Sequence, residues 1–267
     1  MRFRVSCLAL LAAGCAVPPP VGPSGARAVD GAIHHYVRSN RDGTEAENVV
    51  HFRPRRDEVA VYKWVGKCTT AAYVTAQFDP ATWEARGLDA GKVARDGSQT
   101  RFGRIDLDPA TRTVSAWVDL PAGRMGDTAT LPAGMPWFLF DYDLGDLNVY
   151  LQERRPAADF TFAFALVWPE SADFLTHMAT IHAAHRGIEQ RGGRPARRFD
   201  LHFVAGRPGS GTLWTDPETG TVIEAEASVP NHPGMTDFRL RLERSQSGGR
   251  AAWDALLRGH YSACPKA

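Results

Sequence analysis

From Gly31 onward, apolar and polar residues alternate over short runs, most clearly in Val59-Ala-Val-Tyr-Lys-Trp64 and Phe160-Thr-Phe-Ala-Phe164. A period of two puts successive side chains on opposite faces of a strand, so these runs predict strands whose faces differ in character. The same reading predicts strands at Ile33–Ser39, Asn48–Arg53, Glu58–Val65, Thr70–Phe78, Arg101–Leu107 and Thr113–Asp119. Further strands are expected at Trp137–Tyr142, Leu147–Glu153, Phe160–Trp168, Ala196–Val204, Gly211–Thr215, Val222–Val229 and Phe238–Arg244. Turn chemistry separates them. Asp79-Pro80, Asp108-Pro109 and Asp216-Pro217 each start a turn, because proline presets φ and aspartate accepts from nearby backbone N–H groups. Gly192-Gly193 predicts a hairpin joining Ala184–Gln190 to Ala196–Val204.

Helix is sparse. Pro80–Leu88 is expected to form a short one, and Arg250–Arg258 another, with Trp253, Leu256 and Leu257 on one side. Phe174–His185 fits either period. Residues 31–262 hold no low-complexity run, so no boundary is expected inside them. The predicted architecture is mostly β: a single large antiparallel meander curled into a barrel or half-barrel, with one or two short helices.

The N-terminus has a different pattern. Arg2 and Arg4 precede an apolar run from Val5 to Ala13, and small residues follow at Ala12, Ala13 and Gly14. That order is a secretory signal peptide, too short to cross a bilayer core of about 30 Å as a stable helix. Leu11-Ala12-Ala13-Gly14-Cys15 resembles a bacterial lipobox, with Ala12 where leucine is commonest, which implies acylation at Cys15. Ala16 follows where a retention aspartate would stand, so the expected location is the outer membrane, facing the periplasm. A soluble periplasmic form is the alternative. Pro18, Pro19, Pro20 and Pro23 make residues 16–30 a semi-rigid tether. The expected organisation is therefore residues 1–15 as leader, 16–30 as tether and 31–267 as a β domain.

Cys7 lies in the leader and Cys15 is the lipid site, leaving Cys68 and Cys264 to form one disulfide in an oxidising compartment. The 31 basic and 30 acidic residues give a formal charge of +1. Losing Arg2 and Arg4 with the leader makes it −1, and no basic patch marks a nucleic-acid partner.

An acylated leader, a proline-rich tether and a long β meander together resemble the lipoprotein-localisation group, the LolA/LolB-like carriers. Gly211-Thr-Leu-Trp-Thr-Asp216 resembles a strand entering a hairpin in such proteins, and Phe238-Arg-Leu-Arg-Leu242 an amphipathic closing strand. The resemblance implies an incomplete barrel with an apolar concave face that holds acyl chains. It covers architecture and supplies no functional residue.

Chemistry is harder to place. Gly209-Ser210-Gly211 lacks the glycine of a nucleophile elbow, since Pro208 occupies that place. His182 and His185 would share a face only on a helix, and no metal-ligand spacing exists, so neither metal nor cofactor is expected. Three polar segments read first as turns: Ser39–Glu45, Asp141-Tyr-Asp143 with Asp146 and Asn148, and Pro230-Asn-His-Pro233. The functional expectation is that Asp42, Glu45, Asn231 and His232 meet at one rim. Trp64 and Trp214 are aromatic candidates for lining a cavity. Three readings follow. The first is a non-catalytic envelope lipoprotein binding a lipid or acylated ligand in its curved sheet. The second is a module that meets an envelope protein partner, and the third a periplasmic hydrolase using loop aspartate and histidine.

Overall fold

In the computed structural model, which describes residues 30–168, 171 and 173–265, the strands pair into one fifteen-stranded sheet. The leader, Cys15 and residues 16–29 lie outside the described residues. The first meander comprises β1 (Ile33–Ser39), β2 (Glu47–Arg55), β3 (Glu58–Trp64), β4 (Ala72–Phe78), β5 (Ala85–Val93), β6 (Gln99–Asp108), β7 (Thr113–Leu120) and β8 (Gly123–Thr130). The second comprises β9 (Trp137–Leu139), β10 (Phe160–Val167), β11 (Leu175–Arg191), β12 (Arg194–Gly206), β13 (Ser210–Thr215), β14 (Val222–Ala227) and β15 (Phe238–Gln246).

The strand order runs from β8 back to β1, across to β15, and back again to β9. The antiparallel pair of β1 with β15 is thus the seam between the meanders. All pairs are antiparallel except β9 with β10. The sheet stays open, with β8 and β9 at its ends, so it is the expected curved half-barrel. Leu175 N donates to Asp127 Oδ2 at 3.0 Å, tying the start of β11 to β8.

Both faces of β1 to β4 are covered. On β3, Val59 and Val61 point into the main core, while Ala60 and Tyr62 point outward to a second cluster. That outer cluster lies under α2 (Gly249–Arg258), whose Trp253 stacks on Phe52 at 5.1 Å. The Cys68–Cys264 disulfide joins the β3–β4 loop to the segment after α2.

The concave face holds β9, a 3-10 turn (Phe140–Tyr142) and α1 (Gly145–Arg154). Leu147–Glu153 was expected as a strand and is instead most of this helix. Its neighbours surround it, so nearly every residue from Gly145 to Glu153 is buried. Such a helix carries no polar stripe, and Leu-Asn-Val-Tyr-Leu then imitates a period of two. Trp137–Tyr142 is likewise strand only as far as Leu139.

Pro80–Leu88 is not a helix. Asp79 accepts from Ala81 N at 2.8 Å and from Trp83 N through its carbonyl at 2.7 Å, closing a turn that leads into β5. Gly87 and Gly91 weaken helix there and allow close approach to β6; a Cβ at Gly91 would stand 2.9 Å from Thr100 O. Phe174–His185 belongs to β11. Strand β8 escapes the apolar pattern because it is an exposed edge of largely polar and small residues.

Candidate functional site

The period-two rule that builds the core also carries charge inward. Lys63 follows Val59 and Val61 on β3, and Glu47 precedes Val49 on β2, each in phase with core positions. Arg38 is in phase with Tyr36 on β1. These three side chains meet at the end of the concave face nearest the turn before α1.

That turn supplies the counter-charge. Asp143 and Leu144 both have left-handed backbones, with φ of 50° and 60°. The conformation is costly for side chains other than glycine and persists where surroundings enforce it. Two things enforce it here. Gly145 lies against β3 so closely that a Cβ would stand 2.7 Å from Val61 Cγ2. The fully buried Asp143 carboxylate lies 2.8 Å from Lys63 Nζ and accepts from Asn231 Nδ2 at 2.8 Å.

Lys63 is fully engaged. Besides Asp143, its ammonium donates to Asp141 O at 2.9 Å and contacts His232 Nε2 at 3.2 Å. An ammonium can only donate, so Nε2 is the acceptor and the lone pair a general base would use is occupied. Burial, then the Lys63 charge, lowers the His232 pKa to about 4, keeping the ring neutral. Burial opposes ionisation of Asp143, but Lys63 and Arg38 outweigh it and hold the carboxyl well below its ordinary range. Burial pushes Asp141 up to about 6. Asp146, at the start of α1, is pushed up to about 7 by burial although it accepts from Leu139 N and Leu147 N.

A cavity of about 500 Å³ opens beside this cluster. Its walls are Val74, Leu88, Ala90, Ile105, Ala116 and Val118 from β4 to β7, faced by Leu139, Tyr142, Val167 and Phe174. Arg38, Glu47, Lys63, Asp141 and His232 lie on the same cavity. Its size is ordinary for a small-molecule site, and so is the combination of apolar walls with a few convergent polar groups.

The sequence-expected residues divide. Asn231 and His232 belong to this cluster, on the C-terminal loop, with Asp143 as their carboxylate. Asp42 is exposed and accepts from Thr44 N and Oγ1 at 2.9 and 2.7 Å, which makes it a turn residue. Glu45 is exposed with φ of 54° in the same loop. Neither bonds to His232, although the loop is fixed nearby through Arg41 N to Asp237 Oδ1 at 2.7 Å. Trp64 stacks on Tyr62 on the α2 side of the sheet, at 4.1 Å. Trp214 donates to Glu189 Oε1 at 2.6 Å and packs in a separate cluster with Ala196 and Ile223. On β11, His182 pairs with Asp159 at 3.4 Å, while His185 packs on Phe199. No group of three or more metal-ligating side chains occurs among the described residues.

Sequence reasoning missed Arg38 and Lys63. The signal was present for Lys63: the alternation Val59-Ala-Val-Tyr-Lys places it inside with the valines.

No protein-family model matches the chain, and no curated protein matches it. Among the solved structures to which the chain is similar are three at low identity. A β-barrel-like protein of the domain of unknown function DUF1849 from Brucella abortus is 9% identical with a TM-score of 0.42, covering 81% of this chain and 96% of that one. A putative outer membrane lipoprotein-sorting protein domain from Vibrio parahaemolyticus is 9% identical at 0.25, covering 85% and 91%. A DUF1329 family protein from Desulfovibrio piger is 11% identical at 0.23, covering 81% and 85%. At these scores they assign no ligand, residue role or activity to this chain.

Two predictions follow from the geometry. Lys63→Met should cost about 3–5 kcal/mol, because it strands a buried carboxylate. Adding Asp143→Asn should cost less than the sum of the two single changes by more than about 1 kcal/mol, as urea denaturation with the disulfide intact would show. Additive effects would mean that the pair is not coupled. The Asp146 carboxyl, at about 7, lies above its ordinary 3.8. Its contribution to stability is present below the unfolded value and is lost as pH rises through the folded one. Asp146→Asn should therefore gain on the native protein between about pH 4 and 7 and level off above that, by no more than about 1.4 kcal/mol per pH unit. A pH-independent difference between the two proteins would refute the assignment.

Proposed function

We propose that this chain is a cell-envelope lipoprotein, exported by residues 1–15, held at the outer membrane through Cys15 and spaced from it by residues 16–30. Its β domain, residues 31–267, binds an amphipathic, acyl-bearing ligand in the cavity of the first meander. The observation that carries the reading is the combination in one cavity of apolar walls from β4 to β7 and a buried polar end at Arg38, Lys63 and His232. A hydrocarbon chain against Val74, Leu88, Ile105 and Ala116 would leave water without exposing the walls, at roughly 25 cal/mol per Å² of apolar surface removed. The polar end would hold the head group. Among the described residues no helix is long and apolar enough to cross a membrane, and the lipid anchor would supply attachment.

The hydrolase reading loses its proposed base, since His232 Nε2 accepts from Lys63. The partner-binding reading becomes the outcome if the cavity takes up nothing.

The test uses protein extracted from its host's membranes. Intact mass should show acylation at Cys15, and native mass spectrometry a second, non-covalent lipid. The delipidated protein should take up the uncharged fluorophore N-phenyl-1-naphthylamine. Ala116→Phe places a larger ring at the inner wall of β7 and should reduce that uptake at least about ten-fold, with unchanged circular dichroism. No uptake by the native protein, or full uptake by Ala116→Phe, would remove the cavity reading.

A further inference from the structure

The polar end of the cavity is specific about which head group it accepts. Arg38, Glu47, Lys63, Asp141 and Asp143 meet there, and four of them match in pairs. Arg38 Nη2 lies 2.6 Å from Glu47 Oε2, and Lys63 Nζ lies 2.8 Å from Asp143 Oδ2. All three Lys63 N–H groups have neighbours, in Asp143, Asp141 O and His232. Arg38 does not share this saturation. Its side chain is 9% exposed, and its Nε and Nη1 have no hydrogen-bond partner. Asp143 Oδ1 lies 3.8 Å from Nε, too far for a hydrogen bond. Buried donors without acceptors are costly and rare, so an arginine in this state on the wall of an apolar cavity would be satisfied by a ligand oxygen that reached it.

The chemistry of that acceptor follows from the charges already present. Glu47 and Asp143 already balance Arg38 and Lys63, and Asp141, pushed up to about 6, is a further carboxylate on the same cavity at pH 8. A ligand carboxylate would add to this excess of negative charge, where screening is weak. A carbonyl oxygen would satisfy the open N–H groups and add no charge.

We propose that Arg38 anchors the head group and selects an uncharged acyl ester or amide, through its carbonyl oxygen, over the free carboxylate of a fatty acid. The inference rests on the acyl-binding reading above and deepens it. It makes the preferred ligand an esterified or N-acylated chain, such as a glyceride or an acylated peptide.

The experiment is displacement of N-phenyl-1-naphthylamine from the delipidated protein at pH 8 by methyl dodecanoate, dodecanamide, sodium dodecanoate and dodecane. The ester, the amide or both should displace the probe at concentrations at least about ten-fold below dodecanoate and dodecane. Which of the two acts distinguishes an O-acyl from an N-acyl source. In Arg38→Met combined with Glu47→Gln, which removes both members of the pair, the advantage over dodecane should disappear. Glu47→Gln alone removes one negative charge and should narrow the gap between dodecanoate and ester, a gain that no folding defect imitates. Equal or better displacement by dodecanoate in the native protein would overturn the selectivity, as would a gap that Glu47→Gln leaves unchanged. Uptake of the probe with no preference among the four compounds would overturn the role of Arg38 and leave the cavity reading standing. No uptake of the probe at all would remove both.

Discussion

The pairing of Lys63 with Asp143 ties together β3 and the turn before α1, segments far apart in the chain. Lys63 is an inward charge on a strand otherwise built of core residues, and Asp143 is fully buried. Neither would be tolerated alone, because an unpaired ion in an apolar interior costs several kcal/mol. Together they fix the left-handed turn at Asp143 and Leu144, and that turn aims α1 along the concave face. The same carboxylate holds Asn231, so the loop between β14 and β15 is attached to the turn as well. One ion pair therefore positions the inner helix, the C-terminal loop and the polar end of the cavity.

The inner segment has further anchors at its other end. Arg53, inward on β2, donates to Gln152 at 2.6 Å and pairs with Glu153 at 3.3 Å, both on the last turns of α1. Between the two ends, Asn148 donates to Tyr36 Oη at 3.1 Å and accepts from Val222 N at 2.9 Å. Gly220 completes the fit: with φ of +76°, it sits where a Cβ would stand 2.2 Å from Leu151 O. Helix α1 is thus fastened to both meanders by polar contacts inside a core that is otherwise apolar. The seam of β1 with β15 lies behind it, and the two meanders share one interior because this helix fills it.

What the sequence disclosed follows from which segments have two different faces. Strands such as Glu58–Trp64 and Phe160–Val167 alternate and were legible, as was α2, which lies on the surface with Trp253 and Leu257 turned inward. Helix α1 was not, because burial on all sides removes the contrast that a helical period needs. Strand β8 was missed for the opposite reason, since an edge of small and polar residues carries almost no apolar signal. Half of the polar cluster was visible as Asn231 and His232. Their carboxylate was not, because Asp143 is 88 residues away in sequence and Asp42 offered an equally plausible loop aspartate. Only the pairing of strands decides between them.

The position of the cavity has a simple cause in side-chain volume. In the second meander, Phe160, Phe162, Phe164, Phe199 and Phe238 turn into the shared core, and Phe138 and Phe140 meet them from the inner segment. Rings packed with centroids near 5 Å leave no room. In the first meander, the corresponding positions around the cavity are Val74, Ala90, Ile105, Ala116 and Val118. Tyr142 reaches across to Val74 O at 3.3 Å, but these side chains are small and leave space beside it. The space therefore lies on one side of α1, and its polar end lies where the inward charges of β1, β2 and β3 meet the turn. A void lined this way loses packing contacts that an empty interior cannot recover. Filling it with a chain of matching shape would restore them, which is the physical reason to expect an occupant.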